Sequence, residues 1–279
     1  MRKKLFTTLA IAALMGTMSA QAQKVDDYGL FDRLSAGISL GTTGIGFEVA
    51  APIGNYVQAR MGYSFMPKIK VTKTVDIDSD KNWLAKDPAT GRTIDDFDIQ
   101  GKLNMNDFKL LFDLYPSKSG NFHFTAGFYL GKSKLVEAYN TTPLVSDEKY
   151  PDGEYKYWGN AGPDLGSGNN IYTVVSEPDG QVKVDLKTNG FKPYIGIGVG
   201  RAVPKGRVGV CFDFGVQFWG KPELWTNIMD RNSTSYRKVE KDRITNNESY
   251  CDDIKDAIKI GQKIIGYPVL TLRINGRIL

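Results

Sequence analysis

The chain has 279 residues, of which 41% are hydrophobic and 24% charged, with both signs mixed. Its mean hydropathy is -0.30, too polar for a bundle of transmembrane helices, and its aromatic content argues against extended disorder. One histidine and two cysteines leave no material for a Cys/His zinc cluster, so neither a metal nor a cofactor is expected.

The first segment has the layout of a secretory signal peptide. Arg2, Lys3 and Lys4 precede a short apolar run, Leu5–Met15, and Ala20-Gln21-Ala22 offers a small-residue cleavage site. The expected organisation is a signal peptide over 1–22 and one domain over 23–279, in the outer membrane of a Gram-negative bacterium after cleavage near Ala22. Without the leader, 33 Lys+Arg face 31 Asp+Glu. That balance gives no reason to expect a nucleic-acid partner.

Beyond residue 22 no apolar run is long enough for a membrane helix. A period of two recurs instead. It marks strands over 34–40, 44–51, 56–65, 107–115, 122–131, 191–199, 208–219 and 268–278. One face of each is apolar, as in Val208, Val210, Phe212, Phe214, Val216 and Phe218; the other is polar or glycine, as in Thr271, Arg273, Asn275 and Arg277. Strands of this length can cross an outer membrane when tilted. Glycine-rich inward faces suit a narrow closed barrel, where glycine makes room for large neighbours.

The connections agree with this. Pro52–Asn55, Pro116–Gly120 and Pro204–Gly206 are short, whereas the links three-to-four, five-to-six and seven-to-eight are long. Short turns on one side and long loops on the other are the outer-membrane pattern, with the turns in the periplasm. Only Gly41-Thr42-Thr43 is short on the loop side. The fold class predicted is therefore all-β: a single closed antiparallel transmembrane barrel of eight strands, with ten as the alternative.

The long loops carry pattern too. Lys68–Asp78 alternates in phase with the third strand. Phe97, Ile99, Leu103 and Met105 are out of phase with Phe108 and Leu110, which predicts a β-bulge near Asn106–Asp107. Ile171–Glu177 and Gln181–Leu186 flank Pro178-Asp179-Gly180 and predict a hairpin. Asp252–Ile265 predicts a short amphipathic helix in the last loop.

The segments YVQARMGYSFMP (56–67), FKPYIGIGVG (191–200), VGVCFDFGVQFWG (208–220) and YPVLTLRINGRIL (267–279), behind a signal peptide, resemble the small bacterial outer-membrane β-barrel proteins of the OmpA-type and OmpW-type set. The resemblance covers the membrane part and not the loops. That set commonly ends in a C-terminal aromatic; here the end is Ile278-Leu279. The resemblance implies outer-membrane lipid and the barrel assembly machinery as partners. No periplasmic peptidoglycan-binding domain is expected.

A charge facing lipid at midplane costs about 2–4 kcal/mol, so strand charges should point inward. The predicted lumen network is Glu48, Asp107, Asp113 and Asp213 against Arg60, Lys109, Lys192, Arg273 and Arg277. Unpaired buried charges are costly, so these groups should pair or stay wet. Aromatics at strand ends, Tyr63, Phe65, Phe122, Phe191 and Phe218, fit interfacial girdles.

No catalytic residue is assigned. His123 faces inward at the periplasmic end without a nucleophile motif. Cys211 and Cys251 are predicted far apart, so a disulfide would need the last loop deep in the barrel. The expected function is non-catalytic: a structural or surface-interaction protein with a salt-bridged, largely closed lumen. An extracellular partner would be met through loops 66–106, 132–190 and 220–266. The alternatives are a narrow channel for small solutes, then a lipid-modifying outer-membrane enzyme, then a soluble periplasmic barrel.

Overall fold

The computed structural model describes residues 27–68, 70–76, 96–141, 145–149, 151, 155–157, 164–165, 172–177, 179–230, 233–238 and 265–279. The signal peptide, most of the predicted loop helix and Cys251 lie outside them. In chain order the strands are β1 (Ser35–Gly41), β2 (Gly44–Pro52), β3 (Val57–Phe65), β4 (Lys70–Asp76), β5 (Asp96–Leu103), β6 (Asn106–Leu114), β7 (Phe122–Gly131), β8 (Lys134–Asn140) and β9 (Val145–Lys149). There follow β10 (Tyr155–Tyr157), β11 (Asp164–Leu165), β12 (Tyr172–Val174), β13 (Lys183–Lys187), β14 (Phe191–Val199), β15 (Val208–Phe218), β16 (Glu223–Asp230), β17 (Ser233–Lys238) and β18 (Gly266–Arg277).

Eight of them close into an antiparallel barrel in the order β1-β18-β15-β14-β7-β6-β3-β2. These are the eight alternating segments of the sequence, and the ten-stranded alternative is not adopted. Closure is a β1–β18 ladder running from Ser35 opposite Arg277 to Gly41 opposite Thr271. The tight β1–β2 turn depends on Gly44, whose φ of 93° is costly for a residue with a Cβ.

The loop strands form a second sheet rather than separate hairpins. Its order, β11-β12-β16-β13-β8-β5-β4, continues the barrel order: β16 follows β15, β13 precedes β14, β8 follows β7, β5 precedes β6 and β4 follows β3. Five neighbouring barrel strands thus extend past the barrel rim into a wall, each after a break of a few residues. At the β5–β6 break the predicted bulge is replaced by an interruption at Asn104-Met105. There Asn104 N–H donates to Leu135 O and Met66 N–H to Met105 O, each at 2.8 Å. The extra residues rotate the chain between two sheets, which is what the phase switch registered.

The hairpin predicted around Pro178-Asp179-Gly180 is also corrected. β12 and β13 do not pair with each other. Both lie along β16, with Val174 opposite Ile228 and Val184 opposite Thr226. The residues between them loop out of one ladder, closed by a Glu177 N–H to Gln181 O bond of 2.7 Å. A turn motif marks where the chain reverses; its partner is set by distant residues.

Candidate functional site: the barrel lumen

Alternation places side chains on opposite faces, and here the apolar face points out. Phe47 and Ile195 are each 56% exposed and Phe212 50%, while Asp113, His123 and Arg273 are 0% exposed. The interior is filled in layers, as expected for a barrel of eight strands.

The central layer is an ion network. The Arg273 guanidinium forks onto Asp213, Nε to Oδ2 at 2.7 Å and Nη2 to Oδ1 at 3.1 Å, while its Nη1 donates to Glu48 Oε1 at 2.9 Å. Planar two-point pairing of this kind is the strong form of a charge-assisted bond. Arg60 donates to Asp113 Oδ1 at 2.7 Å and reaches Asp213 at 3.4 Å. Lys109 sits 2.9 Å from Glu48 Oε2. Thr125 donates to Asp113 at 2.8 Å. His123 Nε2 lies 2.8 Å from Asp213 Oδ1, and its ring leans on Tyr115 at 5.1 Å.

A second pair stands apart from this layer: Lys192 donates to Asp107 at 2.7 Å, and both are buried. Arg277 departs from the predicted set. Its Nη1 donates to Lys205 O at 3.0 Å in the turn beyond β14, so it braces the barrel's end. Phase gives a residue's face but not its depth, and Arg277 sits at the tip of β18. Without it the interior balances: Glu48, Asp107, Asp113 and Asp213 face Arg60, Lys109, Lys192 and Arg273.

Three further packed groups were not legible in the alternation. Leu111, Tyr129, Tyr194 and Val269 form a buried apolar layer with Tyr267 packed on it. Above the barrel strands, Met105, Leu135 and Trp219 form an outer plug, joined by Met66, Leu103, Val136 and Leu186. Trp219 stacks on Tyr267 with ring centres 4.4 Å apart. At the opposite end Tyr28, Ala50, Ala202 and Val203 pack together, and Tyr28 Oη donates to Val203 O at 2.9 Å. Arg201 donates to the carbonyls of Ser117, Lys118 and Gly120 and lies 4.4 Å over the Tyr115 ring. Tyr28 and Arg201 lie in flanking chain and a turn, where no periodicity signals an inward position, whereas Tyr115 ends the predicted strand 107–115 on its inward phase.

Glycines make room for this filling. A Cβ on Gly196 would meet Tyr194 Oη at 2.6 Å, and one on Gly127 would meet Leu111 Cδ2 at 2.9 Å. On Gly198 it would meet His123 Nε2 at 2.5 Å and collide with the Asp213 carboxylate. Gly198→Ala is therefore expected to displace the imidazole and lower stability by about 1–3 kcal/mol, read as a reduced urea midpoint. Gly206→Ala, in a turn where the nearest neighbour would be 3.8 Å away, should leave the midpoint unchanged.

Cys211 is a free thiol, buried and donating to Arg201 O at 3.1 Å. His123 has no serine, threonine or cysteine hydrogen-bonded to it among the described residues.

A barrel with charged groups at its centre and a continuous apolar exterior is the reverse of a soluble core. It is stable only where the exterior meets hydrocarbon. The chain is a closed eight-stranded β-barrel with an apolar exterior suited to lipid. It is similar to two solved Acinetobacter baumannii proteins, CarO and CarO2, each at 16% identity and a TM-score of 0.44. The likeness covers 89% of this chain and 99% of CarO, and 88% and 98% for CarO2. A major outer membrane protein of Thermus thermophilus is similar at 13% identity and a TM-score of 0.29, over 88% of this chain and 98% of that one. No protein-family model and no curated protein sequence matches.

For this barrel, then, the candidate site is a packed interior. Its charges are matched pairwise, and its layers alternate ionic, aromatic and aliphatic chemistry.

Proposed function

We propose that the protein is a non-conducting, non-catalytic barrel whose role is structural and whose contacts are made by the wall above the membrane. The observation that carries this reading is the stacking of filled layers along the whole lumen. Gln58 and Gln217 are 0% exposed, as are Val203 near one end and Val269 in the aromatic layer. A hydrated pathway would leave such side chains in contact with water.

The wall supports the second half of the proposal. Its face is polar and aromatic. Lys187 lies 3.9 Å over Trp225 and 4.5 Å over Tyr236. Lys102 lies 4.5 Å over Tyr139, whose hydroxyl donates to Gln100 Oε1 at 2.6 Å. Lys238 bonds Glu223 at 2.6 Å and holds that carboxyl below its usual range. Tyrosine and tryptophan at a sheet surface are residues enriched at protein interfaces. His123 is 0% exposed at the short-turn end of β7, beside Asn121 and away from the wall, which speaks against a lipid-modifying enzyme.

Conductance tests the proposal. Mature protein, shown to be folded by the mobility difference between unheated and boiled samples, is expected to give no current steps in a planar bilayer. Steady, reproducible steps abolished by changing Arg60 or Asp113 would establish the narrow-channel reading instead.

A further inference from the structure

The level just above the barrel's outer rim has an uneven charge. The chain crosses it at Thr42-Thr43, Met66–Lys68, Asn104-Met105, Lys132-Ser133, Thr188–Gly190, Trp219–Pro222 and Ile265. The charged residues in these segments are Lys68, Lys132 and Lys221, with no Asp or Glu. All three lysines are exposed.

Their placement follows the barrel. Each lysine sits in the break after a strand that leads out of the barrel, β3, β7 or β15. These are alternate members of the arc β15-β14-β7-β6-β3. With neighbouring strands ~4.8 Å apart, the lysine-bearing strands stand about 10 Å from one another. Phe65, Leu130 and Phe218, two or three residues earlier, are the last large apolar side chains of those strands. At ~3.3 Å per residue the ammonium groups lie at the height of the headgroups, outside a hydrocarbon core of about 30 Å.

Among the described residues these lysines also lack the ion-pair partners that comparable groups possess. The nearest acids of the wall are engaged: Glu137 with Lys102 and Lys134, Asp185 with Lys134, Glu223 with Lys238. Among the described residues none of them pairs with Lys68, Lys132 or Lys221. At the periplasmic end the cations hold the fold instead. Lys118 pairs with Asp27, and Arg201, Lys205 and Arg277 bond turn carbonyls.

We propose that Lys68, Lys132 and Lys221 form a collar that docks the phosphate groups of lipid headgroups in the outer leaflet. An acid-free row of exposed ammonium groups at headgroup height complements anionic lipid, and each contact adds electrostatic attraction that salt weakens. The three lysines engage lipid along one arc of the barrel, beneath the wall. The β1–β2 side, where the turn is Thr42-Thr43, carries no such charge.

The test uses the folded mature protein in phosphatidylcholine vesicles holding a minor fraction of spin-labelled phosphatidic acid or spin-labelled phosphatidylcholine. The wild type is expected to prefer phosphatidic acid by about tenfold, falling as salt is added. K68Q/K132Q/K221Q should lose most of that preference, and K118Q/K205Q at the other end should keep it. Lys132→Gln alone, the mildest change, should reduce it partially. Equal loss in the collar and periplasmic variants, or no preference in the wild type, would overturn the proposal. So would displacement of the labelled lipid by equimolar inorganic phosphate, since the collar would then be a site for soluble anions.

Discussion

Replacing Arg273 by methionine is expected to cost about 3–5 kcal/mol of barrel stability. The side chain is 0% exposed and satisfies two carboxylates at once, Asp213 and Glu48. Its removal leaves an excess negative charge in a site that water does not reach, and the penalty is that uncompensated charge rather than the worth of the lost bonds. The double variant Glu48→Gln/Arg273→Met should recover a large part of the loss. Asp113 and Asp213 would then face Arg60 and Lys109, and the layer would again be neutral. Urea midpoints of the two variants in lipid decide the matter. If the double variant is no more stable than the single one, charge balance is not what the layer contributes.

Leu272→Arg should cost about 2–4 kcal/mol in a bilayer. Leu272 is 41% exposed, mid-way along β18 and opposite Phe212 of β15. The same substitution at an exposed position in water is ordinarily worth less than about 0.5 kcal/mol. The prediction therefore separates a membrane barrel from a soluble one, using a residue whose side chain touches nothing in the lumen. Leu279→Arg, at an end that is 73% exposed and beyond β18, should be close to neutral. A neutral Leu272→Arg in vesicles would mean that this face does not meet hydrocarbon.

The barrel was legible in the sequence because its signal is local. A strand with one face to lipid and one to the lumen alternates along its whole length, and 122–131 and 191–199 coincide with β7 and β14. The inward charges were legible for the same reason, since hydrocarbon forbids the other face to Arg60, Lys109 or Arg273. What alternation cannot supply is depth and partner. Arg277 shares the phase of Arg273, yet it bonds a turn carbonyl. Leu111, Tyr194 and Val269 point inward among polar neighbours, and only the assembled barrel brings them into one layer. The wall escaped because its ladders join segments far apart in the chain: Asp185 faces both Glu137 and Trp225. The segments of β4, β5, β12 and β13 were visible as alternation and those of β8 and β16 were not, and the pairing of all of them was set by the barrel order beneath.

The most direct test of an inside-out barrel with a filled lumen is a cysteine scan along β18 in a variant with Cys211 and Cys251 changed to serine. Single cysteines at 269, 270, 271, 272, 274 and 275 would carry a fluorophore in protein folded into vesicles, challenged by a lipid-borne and a water-soluble quencher. Positions 270, 272 and 274 should be quenched only from the lipid, and labelling at 269, 271 and 275 should fail until the barrel is unfolded. Aqueous quenching at 270, 272 and 274 would contradict the membrane orientation, and ready labelling at 269, 271 and 275 would contradict the closed lumen.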